Sequence, residues 1–150
     1  MPVTGAQEAV AKLNKIPAIV REKVEEAIKK SAGIVLEDMR RLTPRDPANP
    51  GSHAREGLTY IIDEGGLEAR IGLPTKELEN DYFWFRFLDG GTKGGEVRYW
   101  RMDKAGNRTR HTMTVPSRPA LHIRERALDG NIEEVRRLVA EAITEGFTQA

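Results

Sequence analysis

At 150 residues the chain is long enough to bury a core of its own, and it reads as one domain spanning residues 1–150. Its 24 Lys and Arg against 23 Asp and Glu leave a net charge of +1, which excludes a global field toward nucleic acid or membrane; any such partner must be met by a local patch. Cysteine is absent, which excludes disulfides and thiolate metal sites and fits an intracellular origin.

The opening MPVTGAQEAVAKLNK lacks the basic-then-apolar order of a secretory signal. No apolar run approaches the roughly 20 residues of a membrane span, so a soluble protein used without export and without a membrane partner is expected. Ala6 to Leu13 is compatible with a short helix carrying Ala6, Val10 and Leu13 on one side. The dominant pattern runs from Pro17 to Leu42. At 100° per residue, Val20, Val24, Ala27, Ile28, Ser31, Val35, Met39 and Leu42 share about a third of the circle, with Glu22, Glu26, Lys29, Lys30, Glu37 and Arg40 opposite. Pro17 suits a first turn, and Pro44 enforces the stop by disfavouring helical geometry at Thr43. Asp38 falls inside the apolar arc. It is expected either to find a partner or, the reading preferred, to lie solvated near a frayed end. Leu36 and Gly33 form a weak second apolar face of the kind a subunit contact requires.

Thr43 to His53, with three prolines and a glycine, is a loop. Leu58 to Ile62 and Leu67 to Leu73 read as strands of a hairpin around Asp63-Glu64-Gly65-Gly66, with Leu67, Ala69, Ile71 and Leu73 on the face toward the long helix. Pro74 to Asn80 reads as loop. The aromatic run Tyr82 to Leu88 is too short for its period to decide between helix and strand, and the glycine-rich Asp89 to Gly95 reads as loop. Val97 to Met102 and Arg108 to Val115 form a second hairpin around residues 103–107. Pro116 and Pro119 bracket a turn into a helix with Leu121, Ile123 and Leu128. Asn131 with Glu134 reads as the capping pair of a separate last helix ending at Gly146. The expectation is an α+β fold: a long N-terminal helix and C-terminal helices packed on a small, mostly antiparallel sheet, with a projecting β-hairpin.

Nothing in the chain spells out catalysis or a cofactor. His53, His111 and His122 lack metal-binding spacing, the carboxylates are dispersed, and Gly-Gly-Thr-Lys-Gly-Gly lacks the spacing of a phosphate loop. The best polar patch is the second hairpin, where Arg98, Arg101, Lys104, Arg108 and Arg110, with Arg118 beyond, interleave with Tyr99 and Trp100. Such a patch is first a solvated edge or protein-docking surface and second a nucleic-acid-binding module; for the chain as a whole, a sparse-site hydrolase turning on Asp89 or a histidine is a third reading.

Three segments, in order, carry a resemblance. They are Ile34 to Pro44 followed by Pro50 to Leu58, then Phe83-Trp84-Phe85-Arg86-Phe87-Leu88-Asp89-Gly90-Gly91-Thr92, then Val115-Pro116-Ser117-Arg118-Pro119-Ala120-Leu121 before a closing helix. From about residue 20 to 145 the chain resembles the tailed-phage morphogenesis proteins typified by gene product ten of phage Hong Kong 97, with the lambda minor tail protein Z as a relative. The resemblance implies a non-enzymatic structural protein of the virion head–tail junction, in the neck or in tail completion. It would be assembled in the bacterial host cytoplasm, contact neighbouring neck and tail proteins, and form a homo-oligomeric ring with transient access to genomic DNA. On this reading Gly91 and Thr92 fix a tight turn, Asp89 caps it or pairs with Arg118, and Pro116 and Pro119 set the entry angle of the last helices. Gly90 stands where the family has an aromatic. The 23 residues between Thr92 and Pro116 exceed the family's link, so the hairpin at about 97–115 reads as an insertion aimed at a neighbour.

Overall fold

The computed structural model describes residues 6–13, 18–45 and 53–149; Pro17 and residues 46–52 of the proline-rich loop lie outside them, as do the side chains of Ala6 and Leu13. The elements are α1 (Ala6–Leu13), α2 (Ala18–Leu42), α3 (Ala54–Gly57), β1 (Thr59–Ile62), β2 (Ala69–Gly72), α4 (Lys76–Asp81), α5 (Phe85–Gly90), β3 (Gly95–Met102), β4 (Arg108–Val115) and α6 (Ile123–Gln149). This is an α+β fold, with a long helix near each end of the chain and two antiparallel two-stranded sheets in place of a single sheet. No described helix is long and apolar enough to cross a membrane.

The period of α2 does what its spacing requires: Val20, Val24, Ala27, Ser31, Val35 and Met39 are buried along one side. Leu36 is buried as well, packed with Val35, Met39, Ala54, Leu58, Phe85, Ile123 and Ala127. Of the second apolar face, Leu36 is therefore spent on the chain's own core, while Gly33 stays half-exposed. Full burial of Met39, Leu58 and Ile123 is worth about 1.5–3 kcal/mol each. The helix stops at Thr43, whose N–H and Oγ1 both donate to the Met39 carbonyl, at 3.0 and 2.6 Å. Arg55 Nη2 then donates to the Thr43 carbonyl at 2.8 Å, so the exit from α2 is clamped by α3.

α6 is one helix of 27 residues, about 40 Å long, where a pair was expected. Asn131 lies within it, its amide bonded to the Ala127 carbonyl at 2.8 Å and to Asp38 Oδ2 at 2.6 Å, and it caps nothing. Asp38 is thus partnered, with Arg41 donating from its other side at 2.8 Å. The Asn131 amide first, and Arg41 second, hold its carboxyl below the ordinary carboxylate range. The contact from Asp38 to Asn131, the ion pair from Lys23 to Glu145 and the approach of Val20 to Gly146 run in opposite chain directions, so α2 and α6 are antiparallel. Gly146 does not end α6. A Cβ there would come within 2.7 Å of the Val20 Cα, so this glycine is what lets the two backbones meet.

β1 and β2 pair from Thr59↔Gly72 to Ile62↔Ala69, and Tyr60, Ile71 and Leu73 pack on the core cluster beside α2. Arg21 Nη2 donates to the Gly65 carbonyl at 2.8 Å and pins the turn to α2. Residues 76–80, expected as loop, fall within α4, because Thr75 supplies an N-cap: its Oγ1 accepts the Leu78 N–H at 3.3 Å, and Glu77 and Glu79 follow in the first turn. The aromatic run resolves into a turn and then α5, which takes in Asp89 and Gly90, expected as loop.

Candidate interaction surface

Two of the three segments that carry the resemblance meet at one point. Asp89, at the end of α5, is buried and caps α6 from outside it: Oδ1 accepts the Arg124 backbone N–H at 3.1 Å and Oδ2 accepts Arg124 Nε at 2.7 Å. Its ion partner is therefore Arg124 and not Arg118, and the structure it caps is a helix rather than the glycine turn. Backbone bonds from Leu121 N–H to the Leu88 carbonyl and from His122 N–H to the Asp89 carbonyl, each 3.0 Å, complete the seam.

Gly91 follows at φ +72°, with Ala120 N and the Arg118 carbonyl 2.7 Å from where a Cβ would stand, so both its conformation and its surroundings require glycine. Thr92 and Arg118 then exchange both N–H···O bonds at 2.9 Å, and Thr92 Oγ1 donates to the Pro116 carbonyl at 2.7 Å. Pro116 and Pro119 flank that bridge, ahead of α6. Asp89, Gly91, Thr92, Pro116, Arg118 and Pro119 thus form one architectural knot at the base of the second hairpin.

Beyond the knot, β3 and β4 pair without interruption from Gly95↔Val115 to Met102↔Arg108. Every residue of the ribbon except Val115 is exposed. Alternation along a strand divides the ribbon into two faces that grouping by sequence position merges. Val97, Tyr99 and Arg101 of β3 share one face with Thr109, His111, Met113 and Val115 of β4. Glu96, Arg98, Trp100 and Met102 share the other with Arg108, Arg110, Thr112 and Thr114. The candidate contact residues Arg98, Trp100, Arg108 and Arg110 are therefore together, while Tyr99 and Arg101 point the other way.

The first face looks onto α5. Val97, Tyr99, Met113 and Val115 line a groove of about 910 Å³ whose opposite wall is Phe83, Trp84, Phe87 and Leu88. Phe83 packs edge-on against Trp84 and Phe87, at centroid separations of 5.5 and 6.1 Å, and Tyr99 stacks on His111 at 5.6 Å. Phe83, Phe87, Val97 and Met113 are 40–51% exposed, so the groove is both apolar and open. Reading the sequence alone does not join Phe83 and Phe87 to Val97 and Met113. The signal present is the period-2 alternation of the strands.

At the ribbon's tip, Asp103 accepts the Ala105 and Asn107 backbone N–H groups at 2.9 and 2.8 Å. The Asn107 N–H is the main cause of a carboxyl held below its usual range, and the group is spent on the turn. Among the described residues, no group of three or more His, Asp or Glu side chains is placed to hold a metal ion. Compared with protein-family models, with curated proteins and with solved structures, the chain finds no match in any of the three.

Proposed function

We propose that the chain is a structural, non-enzymatic virion protein of the head–tail junction of a long-tailed phage or prophage, in the neck or in tail completion. It acts by protein–protein contacts with neighbouring neck and tail proteins, as a homo-oligomeric ring around the DNA channel. The observation that carries an assembly role is the open apolar groove between α5 and the β3–β4 ribbon. A two-stranded ribbon is marginal in water by itself, and an exposed apolar patch beside one marks a surface that another protein covers. The setting at the junction rests on the ordered resemblance of three segments, two of which, Phe83 to Thr92 and Val115 to Leu121, flank this ribbon.

The test is deletion of the gene in the phage or prophage that carries it, followed by electron microscopy of the lysate. DNA-filled heads beside unattached or abnormal tails are expected. Complementation with the Phe87→Asp, Met113→Asp double variant, which leaves the core cluster untouched, is expected to fail where wild type succeeds. Normal yields of infectious virions from the deletion would overturn the proposal.

A further inference from the structure

We propose that the outward face of the β3–β4 ribbon, carrying Arg98, Trp100, Arg108 and Arg110, is a contact for the phosphate backbone of duplex DNA. This inference is independent of the head–tail reading, because it rests on the face opposite the apolar groove.

Charge is the first observation. Residues 95–115 hold Arg98, Arg101, Lys104, Arg108 and Arg110 against Glu96 and Asp103, a net +3 in a chain whose total is +1. The near-neutral whole thus hides a cationic ribbon on an acidic body. Pairing is the second. In the body, Arg21, Arg40, Arg70, Arg124 and Arg137 are all held by carboxylates. The ribbon's arginines form no ion pair among the described residues, and Asp103, the acid at its tip, is occupied by backbone N–H groups and the Asn107 amide. Cations left without carboxylates on an exposed surface keep their full attraction for an external polyanion.

Shape is the third. Two paired strands of eight residues make a rod about 27 Å long and two strands wide, and a two-stranded ribbon is one of the two protein elements that the major groove of B-DNA admits. On the outward face Arg98 stands opposite Thr112, Trp100 opposite Arg110 and Met102 opposite Arg108, so cations occur along both strands, and the face's one acid, Glu96 opposite Thr114, lies at the base of the ribbon. The Arg108 guanidinium lies 5.5 Å from the Trp100 ring centroid, a stacking that holds it over the face. Arg98, Arg108 and Arg110, with Thr112, are able to ligate phosphate, and contacts made to the backbone rather than to base edges are indifferent to sequence.

The test uses the full chain and a fluorescently labelled duplex oligonucleotide of mixed sequence, with anisotropy followed from about 50 to about 200 mM salt. Wild type is expected to bind with an affinity that falls linearly on a log–log plot. Replacing Arg98, Arg108 and Arg110 by Gln is expected to reduce the slope by about 2–3, at about 0.9 for each phosphate no longer neutralised. Arg101→Gln removes the same charge from the opposite face and is expected to leave the slope unchanged. So is the Phe87→Asp, Met113→Asp variant, once allowance is made for its added negative charge by comparison with two Asp substitutions on the exposed side of α6. All these side chains are exposed, and far-UV circular dichroism checks the fold.

Absence of salt-dependent binding would overturn the proposal, as would an Arg101→Gln effect equal to that of Arg110→Gln. Tighter binding to a single-stranded oligonucleotide, abolished in Trp100→Ala, would replace the phosphate-backbone assignment with base stacking. Displacement of the duplex by poly-glutamate at lower charge concentration than by unlabelled DNA would assign the face to an acidic protein surface instead.

Discussion

Two glycines in one helix should respond in opposite directions to the same substitution. In a helix interior Ala is favoured over Gly by about 1 kcal/mol, because glycine loses more backbone freedom. At Gly130 an added Cβ meets nothing within 4 Å, so Gly130→Ala is expected to stabilise the protein by close to that amount. At Gly146 the added Cβ would lie 2.7 Å from Val20 Cα and 3.0 and 3.1 Å from two atoms of its side chain. Carbon atoms rest at about 3.5–4.0 Å, so α6 must retreat from α2 by roughly 1 Å at that end, and a main-chain atom cannot rotate aside. Overpacking of this kind costs about 1–3 kcal/mol. Set against the propensity gain, which fraying reduces near a helix end, Gly146→Ala is expected to be destabilising by up to about 2 kcal/mol. The two variants should differ by about 1–3 kcal/mol. For a chain of this size each kilocalorie moves Tm by about 2–4 °C. Urea unfolding followed by far-UV circular dichroism measures both. Equal stabilisation by the two substitutions would refute the close approach of the helices, and destabilisation by Gly130→Ala would refute the open placement of that position.

Three other expectations test the knot and the helix pair. Asp89→Ala removes an N-cap and an ion pair at a buried position and should cost about 1–2 kcal/mol in urea unfolding, whereas Asp89→Asn, which keeps an acceptor for the Arg124 N–H, should cost less; equal destabilisation would mean that the cap carries nothing. Gly91→Ala combines a left-handed φ with a backbone collision and should cost at least about 2 kcal/mol, with hydrogen exchange accelerated at the Thr92 and Arg118 amides; native protection at both would count against the bridge. Asp38 has its folded carboxyl pKa lowered, chiefly by Asn131. Its contribution to stability is therefore complete above the ordinary carboxylate range and is lost as pH falls through the lowered folded value. Asn131→Ala should raise that pKa and weaken the acid dependence of unfolding; an Asp38 titration unmoved in carboxyl-carbon NMR would contradict the bond.

The elements legible from sequence alone are those in which local pattern and tertiary outcome agree. The 3.6-residue recurrence from Val20 to Met39 belongs to a helix whether or not anything packs on it. Likewise the short β-prone runs on either side of 63–66 and 103–107 flank turn-forming residues. Reading fails where a residue's role lies across the fold. Asn131 has the look of a cap, but its amide serves the Ala127 carbonyl and a carboxylate 93 positions away. Gly146 resembles a helix end and is an interhelical contact. Asp89 and Gly90 look like loop because glycines follow, yet the helix persists through them to aim Asp89 at Arg124. α4 is legible and easily overlooked: Thr75 followed by Glu77 and Glu79 is a start signal, hidden by the polarity of a helix that buries no residue. Resemblance groups the knot residues together, but Asp89 acquires its partner only when α5 is laid against the start of α6. The groove is half visible. Each strand's alternation is printed in the sequence, but that Phe83 and Phe87 form the opposite wall depends on where α5 lies.

A hydrogen-bonded pair such as Thr92 and Arg118 holds its Cα atoms about 5.5 Å apart. Everything from 93 to 117 therefore leaves and re-enters the body through an opening no wider than a tight turn. Closing a longer or shorter excursion across the same opening changes the chain entropy only logarithmically. The length, charge or apolar pattern of the arm can accordingly change without disturbing the fit of α2 against α6. Within one short chain, the arm and the helical body are thus open to change independently of each other.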